Sequence, residues 1–115
     1  MKSFVIVVKD NNISESGYKE LIESYDTYGH DDGIEPHFAI ELGKVEGYAR
    51  GNGLEWNYPW EGQQTDLKTG LIKSAYQTAD KRRRISCFMS HWYLWQRCIK
   101  LDEMICILEH DARFI

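Results

Sequence analysis

Residues 81–111 read KRRRISCFMSHWYLWQRCIKLDEMICILEHD, and this stretch decides the fold. From about Arg84 to Lys100 the spacing predicts a helix. At 100° per residue, Ile85, Phe88, Trp92, Trp95 and Ile99 share one stripe, and Cys87, His91, Leu94 and Cys98 form a second stripe beside it. Ser86, Ser90, Tyr93, Gln96, Arg97 and Lys100 take the opposite side. An apolar arc this wide is expected of a helix lying flat on a sheet. Leu101-Asp102-Glu103 then turns the chain. Met104 to Leu108 is a short apolar run, expected as a buried strand, and it ends in the polar group Glu109-His110-Asp111.

Working outward, Phe4-Val5-Ile6-Val7-Val8 is a β-branched run bounded by charge, as in a strand buried on both faces. Asp10-Asn11-Asn12 supplies turn chemistry. A helix is predicted from Ser14 to about Tyr28, with Tyr18, Leu21, Ile22 and Tyr25 on one face and Gly29 as its stop. His30 to Gly33 is a turn, and Pro36 to Ile40 is a second short strand. Strand, helix and strand at this spacing indicate a βαβ unit and an α/β sheet. Residues 41–64 carry five of the nine glycines with Trp56, Tyr58, Pro59 and Trp60. That mixture is expected as a long surface loop, which either closes over a ligand or lays its aromatics on the core. A further helix is expected from Asp66 to Ala79.

The whole chain has 115 residues, with 14 Lys+Arg against 18 Asp+Glu and a formal charge of -4. Hydrophobic residues are 43% and charged residues 28%, a globular balance that excludes a disordered chain. The size fits a single domain, 1–115. The acidic excess argues against bulk attraction to nucleic acid or anionic membranes. The Phe4–Val8 run is too short for a signal-peptide core or a membrane span. Cys87, Cys98 and Cys106 are odd in number and lack CxxC spacing, so reduced thiols and a cytoplasmic location are expected.

The chemistry gathers near the quoted stretch. In a helix followed by a strand of one sheet, the helix start and the strand end share a rim, where open α/β sheets bind ligands. Arg82, Arg83 and Arg84 at the helix start suit phosphate, although a basic run reads equally as a solvated turn. Glu109 and Asp111, two apart on an extended segment, suit a hard divalent cation that also takes phosphate oxygens. His91 lies within the apolar arc, either bonded to backbone or facing a ligand. His110 either donates a hydrogen bond, joins a metal shell or faces outward. Cys87, His91 and Cys98 lack a fourth zinc ligand, and Cys87 with His91 lacks the exposed setting of a nucleophilic pair. No GxGxxG or GxxxxGK[ST] is present.

These residues resemble glycosyltransferase family 25, which includes bacterial lipooligosaccharide and collagen galactosyltransferases. The family pattern is approximately G-C-x-x-S-H-x-x-x-W, a short spacer, and an apolar strand ending I-L-E-D-D-A. Cys87, Ser90, His91 and Trp95 match the first part, and Ile107-Leu108-Glu109-His110-Asp111-Ala112 matches the second. The chain departs from the pattern at Ser86, where the family has Gly, and at His110, where it has the middle acid. The opening strand continues as Val7-Val8-Lys9-Asp10 rather than Asn-Leu-Asp-Arg.

The resemblance implies a GT-A-like (Rossmann-like) nucleotide-sugar-binding domain of the kind used in lipopolysaccharide biosynthesis. It implies transfer of a hexose, galactose or glucose, from a nucleotide-diphospho-sugar to a glycan or other acceptor, with Mn2+ or another divalent cation. Glu109 and Asp111 would then be the DxD-like metal pair, with Asp111 ahead as direct ligand, and Glu109 would also meet the nucleotide sugar. Ser90 and His91 would shape the pocket floor, and Arg82 to Arg84 would help at the diphosphate. In this family the acceptor half follows the metal motif, so only the first half is expected here, with a partner chain or a second copy completing the site. Two other classes compete: a noncatalytic, degenerate glycosyltransferase-fold binding protein, and an unrelated α/β phosphate-binding module.

Overall fold

The apolar runs at the two ends of the chain become neighbours. In the computed structural model, which describes all residues except 29–31, 57–60 and 76–78, the elements are β1 (Lys2–Val7), α1 (Asn12–Tyr28), β2 (Ile34–Phe38), a 3-10 turn (Leu42–Lys44), α2 (Val45–Gly51), β3 (Gln63–Thr65), β4 (Ile72–Ser74), α3 (Lys81–Leu101) and β5 (Ile105–Glu109). They divide into two compact units, Met1–Ile40 with Cys87–Ile115, and Glu41–Ser86.

The first unit is a three-stranded parallel sheet in the order β2-β1-β5. β1 pairs in parallel with both neighbours, and Ile6 stands level with His37 on one side and Glu109 on the other. Phe4, Val5, Ile6 and Val7 are all buried, as a central strand covered on both faces requires. Side chains alternate along the strand, so the two faces have separate cores. Val5 and Val7 pack with Leu21, Tyr18 and Ile22 of α1, joined by Leu108, Ala112 and Phe114. Phe4 and Ile6 pack with Leu94 of α3, joined by Ala39, Ile105 and Ile107. Pro36 is tolerated because β2 is an edge strand. The mixed α/β architecture with a parallel sheet is therefore as the sequence predicts. The expected stop at Gly29 and the start of the following turn lie outside the described residues.

The face that α3 buries differs from the predicted one. Ile85, Ser86, Met89, Ser90 and Leu94 are buried, whereas Phe88, Trp95 and Ile99 are 38%, 46% and 72% exposed. The sheet face toward α3 is already filled by Phe4, Ile6, Ile105 and Ile107. Small hydroxyl side chains let a helix approach such a face closely, while large aromatics are displaced outward. Phe88 and Trp95 then stack edge to face on each other, with centroids 6.0 Å apart.

In the second unit, two expectations are corrected. The glycine-rich stretch contains α2, not only loop. Val45 is fully buried and anchors the helix, and Glu46 in the first turn and Arg50 in the last complement its dipole. It ends in a Schellman motif: Gly53, at φ +67, donates to the Arg50 carbonyl at 3.0 Å, and Leu54 donates to Ala49 at 2.9 Å. Trp56 is half-buried, while Tyr58, Pro59 and Trp60 lie outside the described residues.

The helix expected from Asp66 to Ala79 is instead the connection and second strand of an antiparallel hairpin, with Gln63 opposite Ser74 and Thr65 opposite Ile72. Asp66 explains the difference. Its Oδ1 accepts the Lys68 and Thr69 N–H groups at 2.8 and 3.2 Å, which diverts the backbone from helical bonding. Gly70, at φ +72, then reverses the chain.

Candidate functional site

The site is built where β5 ends. The chain leaves the sheet after Glu109, and the Ala112 N–H closes a turn onto the Glu109 carbonyl at 3.0 Å. Glu109 and Asp111 are therefore placed by a β-turn, not by the pleat of an extended segment as the sequence suggested. Both are exposed, and neither carboxylate has a hydrogen bond or ion pair among the described residues. Glu109 lies on the α3 side of the sheet, where its charge, after burial of the sulfur, pushes the Cys87 thiol up. Cys87 is accordingly a protonated thiol at neutral pH, not an activated nucleophile.

On the α1 side, the same turn borders an open cavity of about 540 Å3. α1 lines it with Asn12, Ser16, Gly17 and Glu20, and the turn with His110 and Asp111. The positive end of the α1 dipole faces this region. Asn11 caps the helix by accepting the Ser14 N–H at 3.0 Å, and the Ser14 hydroxyl oxygen accepts the Val8 N–H at 2.8 Å. His110 Nδ1 is 3.2 Å from that same oxygen, so the histidine is bonded to α1 and does not face outward. Beyond it, Arg113 is spent inside the fold on Glu20 and on the His110 and Ala112 carbonyls. The Phe114 N–H donates to Ser24 Oγ at 3.0 Å, and its ring meets Tyr25 edge-on at 5.3 Å.

The remaining candidates all lie on α3. Ser90 is fully buried in α3. His91 is half-buried, and its Nδ1–H donates to the Cys87 carbonyl of its own helix at 3.0 Å, which is the backbone-bonded alternative. Arg82, Arg83 and Arg84 belong to the second unit. Arg82 is committed to Asp80, with Nη2 2.7 Å from Oδ2 and Nε 3.1 Å from each carboxylate oxygen. Asp80 also caps α3 by accepting the Arg82 N–H, and these bonds hold its carboxyl at about 2. Among the described residues no three His, Cys, Asp or Glu side chains are grouped to hold a metal ion. Ions of the manganese type take one or two carboxylates and complete their shell with phosphate and water, so Asp111, with Glu109 on the same turn, would be the residues to hold one.

Sequence reasoning passed over His37, Ser14 and Gly17. His37 stands level with Glu109 across Ile6, and burial, with the charges of Arg97 and His91, holds its imidazole below the usual value. Gly17 was readable as an isolated glycine in a helical pattern, which signals close approach of another segment. A Cβ there would lie 2.8 Å from the His110 oxygen and 2.9 Å from its Cδ2.

Comparison with known proteins agrees with the motif. Residues 59–115 match the model of glycosyltransferase family 25 (LPS biosynthesis protein), a segment that holds the hairpin, α3, β5 and the carboxylate turn. No curated protein and no solved structure gives a significant match. Among the described residues, no helix is long and apolar enough to cross a membrane. Residues 59–115, just under half of the chain, are therefore similar to glycosyltransferase family 25, as part of a domain of that family would be.

Proposed function

We propose that the chain provides the nucleotide-sugar-binding part of a glycosyltransferase with a GT-A-like domain, working in the cytoplasm. The donor is a nucleotide-diphospho-hexose, galactose or glucose, and the acceptor a glycan of the lipopolysaccharide type. One observation carries this: the matched segment contains a turn whose two carboxylates are exposed, and uncommitted among the described residues, at the C-terminal edge of a parallel sheet. Glu109 and Asp111 hold Mn2+, Asp111 most directly, together with the donor diphosphate. When bound, the ion neutralises charge that develops on the departing diphosphate. The chain's own contribution is to hold Glu109 and Asp111 on one turn at the end of β5, with Asp111 lining the cavity beside α1.

Thermal melts with a panel of nucleotide sugars, with and without Mn2+, test this. A nucleotide sugar is expected to stabilise only when Mn2+ is present, by about 2.7 kcal/mol at a hundred times Kd. Asp111→Ala abolishes it and Glu109→Ala weakens it. No shift with any nucleotide sugar, or an unchanged shift in Asp111→Ala, overturns the proposal. A noncatalytic binding protein is the second reading, favoured by His110 in place of the middle acid. It predicts the same shift with no hexose transfer or donor hydrolysis.

A further inference from the structure

We propose that His110 is a positioning residue: it locks the Glu109–Asp111 turn onto α1 through Ser14 and Gly17, and so sets the geometry of the carboxylate pair. The inference rests on the proposed role of those carboxylates. Three observations meet at this side chain. Its Nδ1 is 3.2 Å from Ser14 Oγ, and Ser14 is only 1% exposed. Ser14 is itself fixed from two directions, by the Val8 N–H at the end of β1 and by the Asn11 cap. His110 also lies over Gly17, where a Cβ would meet both its ring and its carbonyl oxygen below 3.0 Å. Glycine inside a helix of 17 residues is unfavourable unless close approach requires it. The Arg113 Nη1–H donates to the His110 carbonyl at 3.1 Å and secures the other side of the same peptide.

An acid at this position would put a third negative charge between two others. The histidine instead ties the turn to the start of α1 and leaves Glu109 and Asp111 unencumbered. It acts through those carboxylates and is not assigned as a metal ligand.

The test is Mn2+ affinity, read as loss of the free-ion EPR signal with the metal alone. Urea melts run alongside, and amide exchange at Ala112, whose N–H closes the turn, is measured without metal. His110→Ala should weaken Mn2+ binding about tenfold, as loss of a supporting partner of a metal ligand does. It should also speed Ala112 exchange. His110→Asn, whose amide can occupy the Nδ1 position, should restore binding to within about threefold. Gly17→Ala, which displaces the turn, should match His110→Ala. Ser24→Ala, which loses a bond to Phe114 beyond the turn, should leave Mn2+ affinity unchanged.

His110→Ala within twofold of wild type, while Asp111→Ala loses binding, overturns the positioning role and leaves the carboxylate site standing. Equal losses in His110→Ala and His110→Asn, both folded in urea melts, also overturn it. Absence of Mn2+ binding by the wild-type chain sinks the carboxylate site and this inference together.

Discussion

Leu94→Ala and Ile99→Ala ask directly which side of α3 carries the fold. Both residues fall in the apolar arc of the sequence, yet Leu94 is 0% exposed against Phe4 and Ile6, and Ile99 is 72% exposed. Removing three buried carbons from Leu94 forfeits about 2.4 kcal/mol at about 0.8 kcal/mol each. Incomplete collapse of the site raises this to about 3 kcal/mol, within the range of about 2–5 for such substitutions. Ile99→Ala removes atoms that already face water and should cost less than about 0.5 kcal/mol. The assay is urea unfolding followed by far-UV circular dichroism at a shared m value. In a thermal melt Leu94→Ala should lower Tm by about 12 °C, at roughly 4 °C per kcal/mol for a chain of this size. If Ile99→Ala proves the costlier of the two, α3 is turned the wrong way and the core assignment fails.

Two further perturbations are local. Gly47→Ala should stabilise by about 0.5 kcal/mol, since the position is helical and open on its Cβ side. Gly53→Ala, at φ +67, should destabilise by about 1 kcal/mol, and urea melts giving both the same sign refute the capping account. For His37, the unfolded chain takes up a proton first as pH falls below 6.5, so stability declines from there through the lower folded value. His37→Gln should flatten the stability profile between pH 7.5 and 5.5, and an unchanged slope assigns the effect to another group.

The parts legible in the sequence were those set by composition along a single element. Phe4 to Val8 and Met104 to Leu108 announce strands because an unbroken apolar run has few other places to go, and the observed strands begin and end within two residues of them. The place of Glu109 and Asp111 at the end of a strand was legible for the same reason, since they follow such a run. The hairpin was missed because its decisive signal is one oxygen, Asp66 Oδ1, competing for two backbone N–H groups. The face of α3 was missed because hydrophobicity ranks Phe88 above Ser90, whereas packing against a sheet already full of Phe4 and Ile6 ranks them by size. His110 could not be placed from the motif. Its partners Ser14 and Gly17 are close to it only through the packing of α1 and β5 on the same sheet.

The limited donor set has a consequence for how the proposed site binds. Glu109 and Asp111 are both exposed, and no cation is paired to either among the described residues. Two carboxylates alone leave most of an octahedral shell to water, so a bare ion is bound measurably but with only a small part of its full affinity. A diphosphate alone gains little, because it brings negative charge to a turn that already carries two. Each ligand removes the other's obstacle: the ion screens the carboxylates from the diphosphate, and the diphosphate completes the shell of the ion. The coupling must be reciprocal, with each raising the affinity of the other by the same factor. A turn that drifted would lose this coupling first, because only a fixed pair of carboxylates can share an ion with an incoming phosphate. At the proposed site, the tie from His110 to the start of α1 would therefore bear on nucleotide affinity as well as on the metal, although His110 need touch neither.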